Sequence, residues 1–308
     1  MTEMFVTGLG QCSLDCIVVV DGFPREDTKK EVEAVTVEGG GPAATAMVAL
    51  SRLGVATALM GRVSDDDAGR AIRRGLRAEG VDTRWLRTEK GGLSQRAFIV
   101  ADRARGTRTI FWRRPTTAPL RPGEVAASVI RRSDFLLVDG LMMDASLHAA
   151  ALARAFSVPV MVDAGRVRPG MMRLLGLCDY IVASEEFAGE LAPTSRGAID
   201  EVLALRGKEP PRAVTVTLGG RGSETWCAGR FFHTPAYEVE VVDTTGAGDV
   251  FHGGYIYGLL RRWPIRRTVR FASALAALKC RAAGGRAAIA TLEETLAFME
   301  RASTVRPS

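Results

Sequence analysis

Residues 241–255 read VVDTTGAGDVFHGGY and hold the densest set of chemically useful groups in the chain. An apolar stretch over residues 238–242 implies a strand that runs into Asp243, two threonines, Gly246, Ala247 and Gly248, before Asp249 opens a helix-like apolar run. Glycines let a backbone turn sharply and approach a ligand closely, and the first N–H groups of a helix have no intrahelical partner. Such a turn suits an anion. A carboxylate in its middle would repel a bound phosphate unless it had a task. Asp249 would have one if it took a proton from a hydroxyl as that hydroxyl attacked a phosphoryl group held beside the amides of Gly246, Ala247 and Gly248. A bare Gly-x-Gly-Asp is equally a helix cap; the string DTTGAGD is far more specific.

That string resembles DTxGAGD, the C-terminal signature of the ribokinase-like (PfkB) sugar and nucleoside kinases. The resemblance implies that the amides of Gly246, Ala247 and Gly248 form the anion hole and that Asp249 is the base on the sugar hydroxyl. It extends along nearly the whole chain. Asp15, after the first strand, takes the place of the aspartate that binds sugar hydroxyls. Gly40 and Gly41, within EGGGPAATAMVALSRLG over residues 38–54, match the glycine pair of the first signature. Thr45 stands where the family usually has Asn. Thr217, Gly219 and Gly222 match the nucleotide loop TLGxxG. Ser184 and Phe187 replace the Asn and Glu of an NxxE motif that organises magnesium, leaving Glu185 as a water-mediated substitute. Asp243 marks the side of a monovalent-cation site present in many members, and the helix over residues 268–280 with the turn 282–286 would flank the adenine. The implied cofactors are ATP and Mg2+, with K+ at the Asp243 side.

The elements that must position these residues follow from periodicity. Residues 5–9 form a short apolar strand. The glycines Gly8 and Gly10 lead into a second strand over 16–20 and not into a helix, which sets aside a dinucleotide-binding reading. Residues 31–37, 95–100 and 107–112 alternate apolar and polar side chains, as half-exposed strands do. They interrupt an otherwise regular succession of strands and helices: 134–139 strand, 145–156 helix, 158–163 strand, 213–218 strand, then a hairpin over 223–235. Repeating βαβ units give a parallel sheet with helices on both faces and ligands at the C-terminal strand ends, where Asp139, Asp163 and Ser184 stand. The acids Asp65, Asp66 and Asp67 are expected to cap the following helix. The fold expected is α/β, a ribokinase-like three-layer domain spanning residues 1–308, with a mostly parallel central sheet. A small β-sheet lid comes from residues 15–37 and 94–113. In the resembled family the lid closes over the sugar and doubles as a homodimer interface.

Composition narrows the alternatives. The 308 residues are 47% hydrophobic and 25% charged, enough for one large core. There is no apolar run of about eighteen residues to span a membrane and no basic-then-apolar start, so a cytoplasmic protein is expected. Cys12, Cys16, Cys178, Cys227 and Cys280 are scattered and odd in number, without a disulfide or zinc spacing. The net charge of +6 comes from arginines spread along the chain and not from a basic block interleaved with aromatics, which argues against nucleic acid.

The reading is an ATP-dependent kinase that moves the γ-phosphoryl group to a primary hydroxyl of a ketohexose-like sugar. The strings GGGPAATA, TTGAGDVFHG and RFASALAALKC are most similar to the ketohexose-type branch, and particularly to bacterial sulfofructose kinases. A sulfonated sugar calls for a cation, and Lys29 and Arg113 are expected to provide it from the lid, with Lys30, Arg96 and Arg114 also within reach by position. Kinases of ribose, ketodeoxygluconate or nucleosides are alternatives within the family, the last needing a stacking aromatic such as Phe98, Phe111 or Trp112. A non-catalytic sugar sensor is the alternative outside it.

Overall fold

The computed structural model describes residues 4–206 and 209–302. The chain runs β1 (Phe5–Leu9), β2 (Ser13–Val20), β3 (Val35–Gly40), α1 (Pro42–Arg52), β4 (Ala56–Ser64), α2 (Asp67–Ala78), β5 (Val81–Asp82), β6 (Leu86–Glu89), β7 (Arg96–Asp102) and β8 (Thr107–Arg113). It continues through α3 (Ala127–Arg131), β9 (Phe135–Val138), α4 (Met143–Ala155), β10 (Val160–Ala164), α5 (Met171–Leu175), β11 (Tyr180–Ser184), α6 (Glu185–Leu191) and α7 (Ser195–Arg206). The last elements are β12 (Ala213–Thr217), β13 (Ser223–Cys227), β14 (Arg230–Thr234), α8 (Ala247–Leu260), α9 (Ile265–Lys279) and α10 (Leu292–Arg301).

Ten strands make one sheet in the order β14-β13-β12-β11-β10-β9-β1-β4-β5, with β6 also paired to β4. Neighbours from β12 to β5 are parallel, and β13 and β14 add an antiparallel edge. Central strands such as β9, FLLV, are buried on both faces, which is why they read as continuous apolar runs. Met47, Leu50, Tyr255 and Phe271 build the core on one face, and Leu136, Val162, Leu174 and Phe187 the core on the other.

Helix α8 is buried nearly all round. A Cβ at Gly253 would lie 2.7 Å from the Ala49 Cβ of α1, and one at Gly254 would lie 3.0 Å from the Ala272 Cα of α9. Bare backbone there lets three helices pack in close contact, so the first turn of α8, with Asp249, is held rigidly.

The second sheet has the order β3-β2-β7-β8, with β2 and β7 parallel and the outer pairs antiparallel. Register and alternation put Asp15, Glu38, Ala97, Ile110, Trp112 and Arg108 on one face. The other face carries Val35, Val37, Phe98 and Phe111, each more than half exposed.

Two expected strands differ. The strand expected over 31–37 begins only at Val35: the ladder ends at the pair Val18↔Val35, and before it Lys30 Nζ folds back onto the carbonyl oxygens of Asp21 and Gly22. Residues 238–242 are not a strand either. The amides of Val242 and Asp243 donate to the Cys280 carbonyl, at 2.8 and 3.2 Å. The signature loop therefore rides on the C-terminus of α9 and not on the sheet. Asp66 does cap α2, accepting from Gly69 N at 2.9 Å.

Candidate active site

The signature loop is clamped by its own first acid. Asp243 Oδ1 accepts from Thr245 N at 2.8 Å and Thr245 Oγ1 at 2.7 Å, and Oδ2 accepts from Gly284 N at 2.8 Å. Gly246 then turns the chain at φ 73°, a left-handed conformation that glycine adopts without steric cost. A Cβ there would lie 2.8 Å from the Gly285 carbonyl oxygen, so the loops 243–246 and 282–286 are in direct backbone contact.

The Ala247 amide donates to the Thr244 carbonyl at 3.2 Å, which removes it from the expected set of anion-hole donors. The amides of Gly246, Gly248 and Asp249 have no partner among the described residues. They stand at the positive end of the α8 dipole and form an open donor cluster. Beside them, burial first and then the Asp163 carboxylate push the Asp249 carboxyl up to about 7, while His252 and Arg108 pull the other way. A carboxyl poised there can take a proton near neutral pH. His252 Nδ1 donates to the Gly248 carbonyl at 2.7 Å, and its Nε2 lies 3.6 Å from Asp163 Oδ1 at the end of β10.

The residues expected on the sugar side gather at the start of α1. Asp15 Oδ1 accepts from Ser13 Oγ at 2.6 Å, and Gly40 lies against the carboxylate, where a Cβ would come within 1.9 Å of Oδ2. Gly41, at φ 95°, opens α1. Buried Thr45 accepts at Oγ1 from Arg286 Nε at 3.3 Å. Arg286 also donates from Nη2 to the Gly40 carbonyl at 3.0 Å, and its amide donates to Glu38 Oε1 at 3.1 Å. The turn 282–286, expected to flank the adenine, therefore ends against the glycine loop at Gly40.

At the other end, Ser184 and Thr217 are register partners on β11 and β12. Ser184 Oγ accepts from Phe187 N at 3.0 Å and donates to the Gly165 carbonyl at 2.8 Å, capping α6. The Leu218 amide donates to the Gly222 carbonyl at 2.8 Å, closing a tight loop through the positive-φ residues Gly219 and Gly222. Glu185 is paired with Arg221 of that loop; Asp163, with His252 at 3.6 Å, receives no hydrogen bond among the described residues. An acid of that kind would suit Mg2+, which keeps several waters and leans on nucleotide phosphates.

A family profile described as pfkB family carbohydrate kinase matches residues 4–292. The chain belongs to the pfkB family of carbohydrate kinases. It is 30% identical over 96% of its length, and 97% of the relative's, to an ATP-dependent ribose-1-phosphate kinase of Halopiger xanaduensis. It is 26% identical over 96% of its length, and 95% of the relative's, to a 5-dehydro-2-deoxygluconokinase of Shouchella clausii. The crystal structure of a protein from Agrobacterium tumefaciens described as a ribokinase superposes with a TM-score of 0.88 at 29% identity, covering 97% of this chain and 98% of that one. The fold is ribokinase-like and the protein is an ATP-dependent sugar kinase. No helix among the described residues is long and apolar enough to cross a membrane.

The cations of this pfkB kinase are not where sequence position put them. Arg113 lies on the face of the second sheet opposite Asp15 and reaches the Ser94 carbonyl at 3.3 Å. Lys29 is exposed in the connection before β3 and pairs with no group among the described residues. The arginine of the second sheet on the face of Asp15 is Arg108, whose Nη1 donates to Thr244 Oγ1 of the signature loop at 2.9 Å. Alternation along β8 from Trp112 could have found it. No sequence signal of that kind marks Arg286, which stands 248 residues from Glu38.

Proposed function

We propose that this kinase transfers the γ-phosphoryl group of ATP to a primary hydroxyl of an anionic, ketohexose-like sugar, sulfofructose being the favoured member of that class. The observation that carries the reading is Arg114. Its guanidinium lies 5.1 Å from the centroid of the Trp112 ring, has no carboxylate partner among the described residues, and follows the strand whose Trp112 is in register with Ala97 and Asp15. A cation left exposed beside sugar-binding groups suits a sulfonate, phosphate or carboxylate. The names of the Halopiger and Shouchella relatives denote acceptors that carry a phosphate and a carboxylate, in line with this.

In this mechanism Asp15 orients sugar hydroxyls, with Gly40, Gly41 and Thr45 shaping the pocket behind it. Asp249 takes the proton of the attacking hydroxyl. The free amides of Gly246, Gly248 and Asp249 receive the phosphoryl oxygens, and Arg108 adds charge from the lid. Phosphoryl transfer asks for little else beyond positioning and charge neutralisation. The loop from Thr217 to Gly222, next to Ser184, holds the nucleotide. Asp163 would face Mg2+, which would supply further charge neutralisation when bound.

The test is an ADP-release assay with MgATP against sulfofructose, fructose, fructose 6-phosphate, ribose, 2-keto-3-deoxygluconate and adenosine. A charged hydrogen bond of roughly 1.5–3 kcal/mol should favour an anionic acceptor by about tenfold to a hundredfold in kcat/KM. Arg114→Met should erase that preference. Equal or better turnover of ribose would overturn the anionic-sugar reading. A nucleoside acceptor is the second reading, resting on Trp112, because Phe98 and Phe111 face away from the site.

The outward face of the lid, with Val35, Val37, Phe98 and Phe111, is an apolar patch of the kind that marks an interface, and the proposed partner is a second copy. Phe98→Asp with Phe111→Asp is expected to convert a dimer to a monomer by light scattering after size exclusion. A wild-type protein that is monomeric at micromolar concentration would rule the interface out.

A further inference from the structure

Lys279 is fully buried in the last turn of α9, a rare state for a lysine because its charge must leave water. Its Nζ donates to the main-chain carbonyl of Asp243 at 2.7 Å. Burial pulls the ammonium down from the usual lysine range, and Asp243, Cys280 and Glu38 hold it up. The carbonyl it occupies belongs to the residue beside which the family resemblance puts a monovalent cation. The carboxylate of that residue is spent as well, on Thr245 and Gly284. A K+ ion would need these oxygens, and an ion of the same sign cannot share the Asp243 carbonyl with an ammonium already in contact with it. The residues present do not fit the ion.

We propose that Lys279 is a positioning residue that replaces the monovalent cation, so that phosphoryl transfer proceeds without K+. The tethered charge holds the Asp243 carbonyl, at the start of the loop that presents the amides of Gly246, Gly248 and Asp249. This inference rests on the reading of that loop as the phosphoryl site.

Two measurements test it. The first is turnover in K+-free buffer, with KCl titrated against tetramethylammonium chloride at constant ionic strength. Wild-type turnover should change by less than about twofold, and Lys279→Met should lose at least about tenfold and regain part of it with K+. The second is anomalous scattering from crystals soaked in thallium(I), a K+ substitute. Wild type should show no peak at the Asp243 carbonyl, and Lys279→Met should show one. Stimulation of the wild type by more than about tenfold, or a thallium peak beside its Asp243, would overturn the proposal. If Lys279→Met fails to fold, the wild-type arms decide alone. If no acceptor is phosphorylated with any cation, the kinase reading of the loop is what has failed, and the thallium result still decides the occupancy of the site.

Discussion

Asp249→Asn is expected to lower kcat by about a thousandfold or more, the upper range for a positioned base, while sugar and nucleotide binding survive. Asparagine keeps the shape of the carboxylate and cannot accept the proton. The surrounding charges predict a pH signature too. With its carboxyl pushed up to about 7, Asp249 is active in the form that dominates above that value, so wild-type kcat/KM should rise through neutral pH and fall on the acid side. The residual activity of Asp249→Asn should lack that limb.

Stability should move the other way. The folded pKa lies above the usual value of 3.8, so the folded state binds more protons between the two values and loses stability as pH rises through that window. Asp249→Asn removes the buried charge and should melt higher than wild type at pH 8, with the gap narrowing toward pH 5. An asparagine variant with turnover within about tenfold of wild type would disprove the base assignment.

Gly246→Ala is expected to cost about a hundredfold in kcat, on the scale of losing one preorganised oxyanion donor. Alanine at φ 73° is strained, and its Cβ would meet the Gly285 carbonyl oxygen at 2.8 Å and Cα at 2.9 Å. Both obstacles are backbone and cannot rotate away, so the turn must shift and carry the open amides with it. Gly248→Ala is the control within the same motif. Nothing lies within 4 Å of a Cβ at that position, so the variant's stability in urea unfolding should stay within about 0.5 kcal/mol of wild type. Wild-type turnover by Gly246→Ala would mean that the amides do not hold the transferred group.

Much of this was legible in the chain because it is local. A strand's period, a glycine turn and the first turn of a helix are written in consecutive residues, and so the βαβ succession, the DTTGAGD loop and a helix cap among Asp65, Asp66 and Asp67 could be read directly. The misreadings share one cause. Residues 238–242 have the apolar pattern of a strand, but their amides are satisfied by the end of α9, a partner that periodicity does not reveal. Arg113 has the right charge in the right strand, and the phase of the pleat turns it away while Arg108, five residues earlier, points in.

The sequence by itself determined the βαβ architecture and the glycine turn DTTGAGD that opens α8, since both follow from neighbouring residue types. Only the tertiary structure decided which charges surround that motif. Lys279 under Asp243, Arg286 behind Gly40 and Asp163 beside His252 meet through loop packing at the ends of separate strands and helices. Electrostatic interaction depends on distance and burial in space, and neither is encoded in the spacing of residues along a chain.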